Sequence, residues 1–286
     1  TVVNRVWAQV FGSGIVETLE DFGSQGAVPS HPELLDWLSL RLMNEHRWSL
    51  KKLLKDIVMS ATYRQSSVVT PESLEKDPSN RLLSRAPRLR LSSEQIRDQA
   101  LAVSGLISLK MHGKSVMPYQ PEGIWQSVWN GEYWKQSEGE DRYRRGVYTF
   151  MKRTSPYPST LIFDGSSREV CLSRRIPTNT PLQALVTLND PVYVEAARAF
   201  AKRMISQATS PDDQIRAGYW LITFRDIPEK KFDVLQKLQQ EALSYYRSDT
   251  AAVRKLTLEK SAAPSLASMT VVANALLNLD EVIMRE

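Results

Sequence analysis

Cysteine and histidine are nearly absent from this 286-residue sequence, which has Cys171 alone and His31, His46 and His112. A single cysteine excludes an intrachain disulfide and any cysteine-built metal cluster. The three histidines are widely spaced, and all of them would be needed for one three-histidine centre. No Cys-x-x-Cys-His stretch is present to attach a c-type haem. No metal site and no cofactor are therefore expected in this segment, although calcium or magnesium held by carboxylates and carbonyls needs neither nitrogen nor sulfur. Long apolar runs are lacking too: none reaches the roughly 18 residues of a spanning helix, so no membrane span is expected. No signal peptide is visible. The chain opens on Thr1 and VNRVWAQVFG already reads as helix, so the sequence is expected to be a piece of something longer. The missing signal accordingly says nothing about compartment.

What is present suffices for a core, since 42% of the residues are hydrophobic. Helix punctuation is legible. Ser30 followed by Glu33 makes a capping box ahead of the stripe Leu34, Leu35, Leu38, Leu42. Ser49 caps a second helix with Leu50, Leu53, Leu54, Ile57, Val58 and Ala61 at helical spacing, and Trp48 with Leu53 makes a candidate hydrophobic staple. Ser92 with Gln95, and Leu91 with Ile96, repeat the device for a helix running to about Gly105. Thr180-Pro181-Leu182-Gln183 is a further capping box, and Asp190-Pro191 opens a helix with Ala196, Ala197, Phe200, Ala201 and Met204 on one face. More helices are expected near 211–223, 228–246 and 265–279. Trp7 and Trp37, on helical faces, are expected in the core.

The expected class is mainly α: a helical array with a long irregular, partly β-like insertion around residues 107–176. Within it lie a possible short helix at Ile124–Trp129 and a β-like run, Gly146-Val147-Tyr148-Thr149-Phe150. A soft boundary separates a helical domain, 1–189, from a C-terminal helical array, 190–286, unless the two form one continuous domain.

Charge is concentrated in the insertion. From Arg142 to Arg175 seven arginines and Lys152 face only Asp164 and Glu169, a local excess of six positive charges in a chain whose net charge is +5. Arginine suits planar, bidentate bonding to carboxylate, phosphate or sulfate. Tyr143, Tyr148, Phe150, Tyr157 and Phe163 are interleaved, and these aromatics argue for an ordered segment. The patch is short and no nucleic-acid motif accompanies it, which argues against nucleic acid as a partner.

Several ordered stretches carry a family resemblance. WAQVFGSGIVETLEDFGSQG, PSHPELLDWL, YRQSS (63–67), NRLLSRAPRLRLSSEQIRDQAL (80–101), SVMPYQPEGIW (115–125), YRRGVYTFMKR (143–153), FDGSSREVCLSRRIPTNTPLQALVTLNDP and ALLNLDEVIMRE together span nearly the whole chain. In them the chain resembles a planctomycete C-terminal domain of unknown function, the PSD type. It departs from that pattern at His112, where glycine is more usual, and at Gly165-Ser166, where Ala-Pro is common. The resemblance implies a domain of a large exported protein, hence an extracytoplasmic location at the periplasm or cell surface. It implies as partners the other domains of the same polypeptide, among them a haem-bearing cytochrome c domain. It carries over no catalytic residues. Export fits a lone cysteine only if Cys171 is buried or otherwise protected, and its neighbours Val170 and Leu172 suggest burial.

Two kinds of function remain open at this stage. One is a binding or structural module with an anionic-ligand pocket, the ligand being a polysaccharide. The other is a carbohydrate-active enzyme, a hydrolase or oxidoreductase, using the same pocket. The ligand-binding candidates are Arg145, Arg153, Asp164, Arg168, Glu169, Arg174, Arg175, His112 and Trp125. Arg145, Arg153, Arg168, Arg174 and Arg175 would instead be structural if they paired with acids such as Asp21, Glu33, Asp36, Asp164 and Glu169. Asp164 and Glu169 could form the carboxylate pair of a glycosidase, or be neutralised by Arg168 and Arg174. Trp125, Trp129, Tyr133 and Trp134 could stack on sugar or pack as core.

Overall fold

The helix starts expected at Ser30, Ser49, Ser92, Thr180 and Asp190 are realised within one residue, in a computed structural model that describes residues 1–125, 133–261 and 263–285. Among these residues there are 14 α-helices and one two-stranded ladder, so the protein is mainly α. The chain falls into two compact units, one of residues 1–90, 172–174 and 284–286, the other of 91–171 and 175–283.

The first unit opens with α1 (Val2–Phe11), whose Val3, Trp7, Val10 and Phe11 are buried with Leu38 and Leu42 of α2 (Pro32–Asn44) and Leu53 and Ile57 of α3 (Leu50–Met59). Burial of these side chains, each about 1.5–3 kcal/mol, holds the three helices together. A polar clamp joins α2 to α3. Asp56 accepts from Arg41 Nε at 2.6 Å and lies 2.5 Å from His46 Nε2. The Arg41 bond, opposed by burial and helped by His46, holds the Asp56 carboxyl below its ordinary range. Short helices α4 (Ala61–Arg64) and α5 (Pro71–Lys76) follow, then β1 (Leu89–Arg90), which pairs antiparallel with β2 (Met284–Arg285).

Three sequence expectations are corrected here. Helix α2 is capped one residue late, by His31, because the Ser30 hydroxyl turns to the Ile15 carbonyl at 3.3 Å. The Trp48–Leu53 staple does not form: Trp48 has φ 63°, which swings its ring outward, and it is 60% exposed. Trp37 lies on the outer face of α2, 51% exposed, beneath the Arg41 guanidinium.

The second unit is built around α9 (Pro191–Gln207) and α13 (Pro264–Leu277). Ala196, Ala197, Phe200, Ala201 and Met204 are all fully buried, as their spacing predicts. The three alanines among them leave room for Met269, Val272, Ala273 and Leu276 of α13 to pack in the same core. Helices α6 (Ser93–Ser104), α7 (Pro158–Ile162), α8 (Pro181–Asn189), α10 (Pro211–Thr223), α11 (Glu229–Ser248), α12 (Thr250–Thr257) and α14 (Asp280–Ile283) complete the unit. The Ser92–Gln95 capping box on α6 is present, with Leu91 and Ile96 packed in the core. The Thr180 box is not: its Gln183 amide donates instead to the Ile162 carbonyl at 2.9 Å. Helix α12 has no counterpart in the sequence reading. Residues 189 and 190 lie inside this unit, at the α8–α9 corner.

The β-like run at 146–150 is a 3₁₀ turn, Gly146–Tyr148, and the residues after it touch residue 116 only as an isolated parallel bridge, Val116↔Thr149. Residue 98 accounts for the difference, because its carboxylate takes the Gly146 N–H at 2.6 Å and bends the chain there. The helix expected at Ile124–Trp129 lies largely outside the described residues.

Candidate functional site

Helix α6 is the rack on which the basic segment hangs. Its sequence SEQIRDQA places Glu94 and Asp98 four residues apart, hence on one face, with Arg97 beside them. Asp98 receives Gly146 N–H and the Arg145 guanidinium at 3.3 Å. Glu94 takes Arg175 bidentately, at 2.7 and 2.9 Å. Burial pushes the Glu94 carboxyl up, but Arg175, the local backbone N–H and Ser93 together outweigh it and bring it to about 2. Arg97, buried, donates to the carbonyls of Arg144 at 3.0 Å and Arg142 at 2.8 Å. The fit is tight: a Cβ at Gly146 would lie 3.0 Å from the Glu94 Cα, so any side chain there would press on α6.

Arg142 and Tyr143 reach α9 instead, meeting Glu195 at 3.3 and 2.7 Å. Burial first, and the Glu195 bond second, push the Tyr143 phenol up. Arg144 is 2% exposed and, among the described residues, has no acid partner. It donates to the carbonyls of Lys110 at 3.1 Å, His112 at 2.5 Å and Lys114 at 3.0 Å, and its guanidinium stacks 3.6 Å from the Tyr148 ring. His112 thus serves through its backbone. Its φ of 65° turns the carbonyl inward, the conformation that glycine adopts most easily.

Asp164 is a clasp. Its carboxylate accepts from Thr178 N–H at 2.7 Å, from the Thr178 hydroxyl at 2.9 Å and from Gln183 at 3.3 Å. The base of the 165–177 loop is closed by this contact, in the manner of an Ω-loop. Beyond it residues 168–182 are exposed. The burial expected for Cys171 is therefore overturned: its flanking Val170 and Leu172 are 66% and 55% exposed, and the thiol is exposed with them. Glu169 is on this exposed stretch.

Among the described residues the side chains of Arg153, Arg168 and Arg174 are exposed and make no ion pair or hydrogen bond, while Arg145 and Arg175 are paired. The acids expected as structural partners (Asp21, Glu33, Asp36, Asp164 and Glu169) are not the ones used; Glu94, Asp98 and Glu195 are. Those three, with Arg97 and Arg144, are the residues that sequence reasoning missed. The i, i+4 acids of SEQIRDQA were the available signal.

Trp125 belongs to an aromatic cluster. Trp134 stacks on Tyr157 with ring centres 5.6 Å apart and lies 5.3 Å from Trp125, with Phe150 alongside. The Trp134 indole donates to the Pro118 carbonyl and Tyr157 to that of Tyr119, both at 2.8 Å. Lys152 sits 5.5 Å from the Trp125 ring centre. Tyr133 is exposed, and Trp129 lies outside the described residues.

A mainly helical chain whose basic segment is racked on one helix and ends in a clasped, exposed loop is the class these features define. The chain belongs to the PSD1 family, proteins of unknown function (DUF1553), whose family model matches residues 1–239. No curated protein and no solved structure gives a significant match.

Proposed function

We propose that the chain is an extracytoplasmic binding or structural module of a larger, cytochrome-linked polypeptide, holding an anionic polysaccharide at exposed arginines, Arg153 and Arg168 in the second unit and, independently of them, Arg174 in the first. One observation carries the ligand: Arg142, Arg144, Arg145 and Arg175 are consumed by carboxylates and carbonyls, whereas the exposed side chains of Arg153, Arg168 and Arg174 have no partner among the described residues. An arginine used for architecture is saturated, and one kept for a ligand is not. The location and the haem-bearing companion rest on the family resemblance. The enzyme reading has less support, because Asp164 is occupied as a loop clasp.

The test is retention on immobilised heparin or a carboxylated glycan. The triple variant Arg153→Ala, Arg168→Ala, Arg174→Ala should lose retention while its Tm stays within about 2 °C of the parent, since no buried partner is stranded. Unchanged retention by the triple variant would remove these arginines from the site.

A further inference from the structure

We propose that the first unit carries a separate binding cleft for a small organic anion, of the size and kind of a uronate or sulfated monosaccharide. The cleft has a volume of about 560 Å³, within the usual range for small-molecule sites. The stacked pair Trp7 and Phe11, ring centres 4.2 Å apart, forms part of its floor. None of its lining residues belongs to the arginine segment, so the proposal stands apart from the glycan reading above.

Both walls are fixed by buried polar side chains. On one side Asn4, fully buried, donates to the Val16 carbonyl and accepts from Val16 N–H, both at 2.8 Å. This brings the chain so near that a Cβ at Gly14 would lie 2.6 Å from the Asn4 amide. Ser30 N–H then bonds Ile15 at 2.8 Å and sets His31 at the rim. On the other side Asp77, also buried, accepts from the N–H groups of Arg81 at 2.7 Å and Leu82 at 3.0 Å. Asn80 closes the same loop through the Arg85 carbonyl at 2.8 Å. A cleft whose walls are set before a ligand arrives spends little binding energy on ordering them.

The lining chemistry selects the charge. Arg81, Arg85 and Arg88 line the cleft against one acid, Glu17. Arg85 is tied to the carbonyls of Asp77 and Pro78, both at 2.9 Å, and serves as structure. Arg81 is exposed, and its one described side-chain bond is a long one, 3.3 Å to the Val28 carbonyl; its remaining N–H groups are open to a carboxylate or sulfate. His31 has Nδ1 engaged with the Ser30 hydroxyl at 2.9 Å, leaving Nε2 for a ligand. Apolar floor, serine and amide donors, and a cationic rim together suit a sugar-sized anion better than a neutral sugar.

The experiment is an NMR titration of the uniformly ¹⁵N-labelled full chain with glucuronate, with glucose as the neutral control. Saturable shifts are expected at the Trp7 indole and at Ser30, His31 and Asn80, at least tenfold weaker for glucose. Arg81→Ala, which removes the open donor, and Ser79→Trp, which fills the cleft from an exposed position, should each weaken binding at least tenfold. The Arg153/Arg168/Arg174 triple alanine variant should bind as the parent does. No saturable shift at the cleft overturns the proposal, as does equal binding of glucose, or binding that survives both cleft substitutions. Loss of heparin retention in the triple variant bears only on the other site.

Discussion

Arg144 shows what a buried cation needs when no acid is at hand. Its planar fork of N–H groups is divided among the carbonyls of Lys110, His112 and Lys114, with Tyr148 covering one face. Lysine cannot reproduce this, since an ammonium is a point charge without a plane to stack. Arg144→Lys should therefore cost about 2–4 kcal/mol, and Arg144→Ala at least as much, because three inward carbonyls lose their donor. Urea denaturation of the two variants checks this; a loss below about 0.5 kcal/mol in both would contradict it. In sequence Arg144 is one arginine among seven, and nothing in composition separates it from exposed Arg153. Its burial depends on a loop thirty residues earlier folding around it, which local patterns do not encode. Cys171 is the converse case: apolar neighbours suggested burial, and loop closure by Asp164 put all three outside.

At the level of elements, α6 does more than its hydrophobic stripe announces. Its buried face holds Ile96, Ala100 and Leu101, while Glu94, Arg97 and Asp98 anchor a segment with almost no ladder hydrogen bonds of its own. The Glu94 carboxyl, brought to about 2 in the folded state against an ordinary value near 4.5, links this anchoring to pH. A folded pKa below the unfolded one contributes stability above about pH 4.5 that is lost as pH falls towards 2. Arg175→Ala should accordingly reduce stability by about 1–2 kcal/mol at pH 7, allowing for solvent screening of a half-exposed pair. The difference from the parent should shrink through that acid window and vanish near pH 2. Chemical denaturation at pH 7, 4 and 2.5 reads it out; a gap independent of pH would mean that Arg175 acts by packing alone. The helix starts at Ser92 and Asp190 were legible because these side chains accept from N–H groups two or three residues on, a local chemistry; Ser49 holds its cap position without such a bond. The bend at Gly146 was not, because its cause is Asp98, nearly fifty residues away.

For the whole molecule, the net charge of +5 overstates the charge available to a partner. The basic segment reads from sequence as one patch, but folding neutralises or buries most of it against acids and carbonyls in its own unit. Sequence shows the run of arginines but not which of them are committed, since that depends on acids on α6 and α9. Salt dependence distinguishes the two states of the segment. Each cation that displaces a counterion from a polyanion contributes about 0.7–0.9 to the slope of log K against log salt. If Arg153, Arg168 and Arg174 make the contact, heparin-fragment affinity should fall with a slope of no more than about 3, by direct titration between 50 and 300 mM salt. The alanine triple should bring the slope close to zero. A slope of about 6 or more would require the paired arginines to leave Glu94, Asp98 and Glu195, and would defeat the assignment of these three residues as the ligand contact.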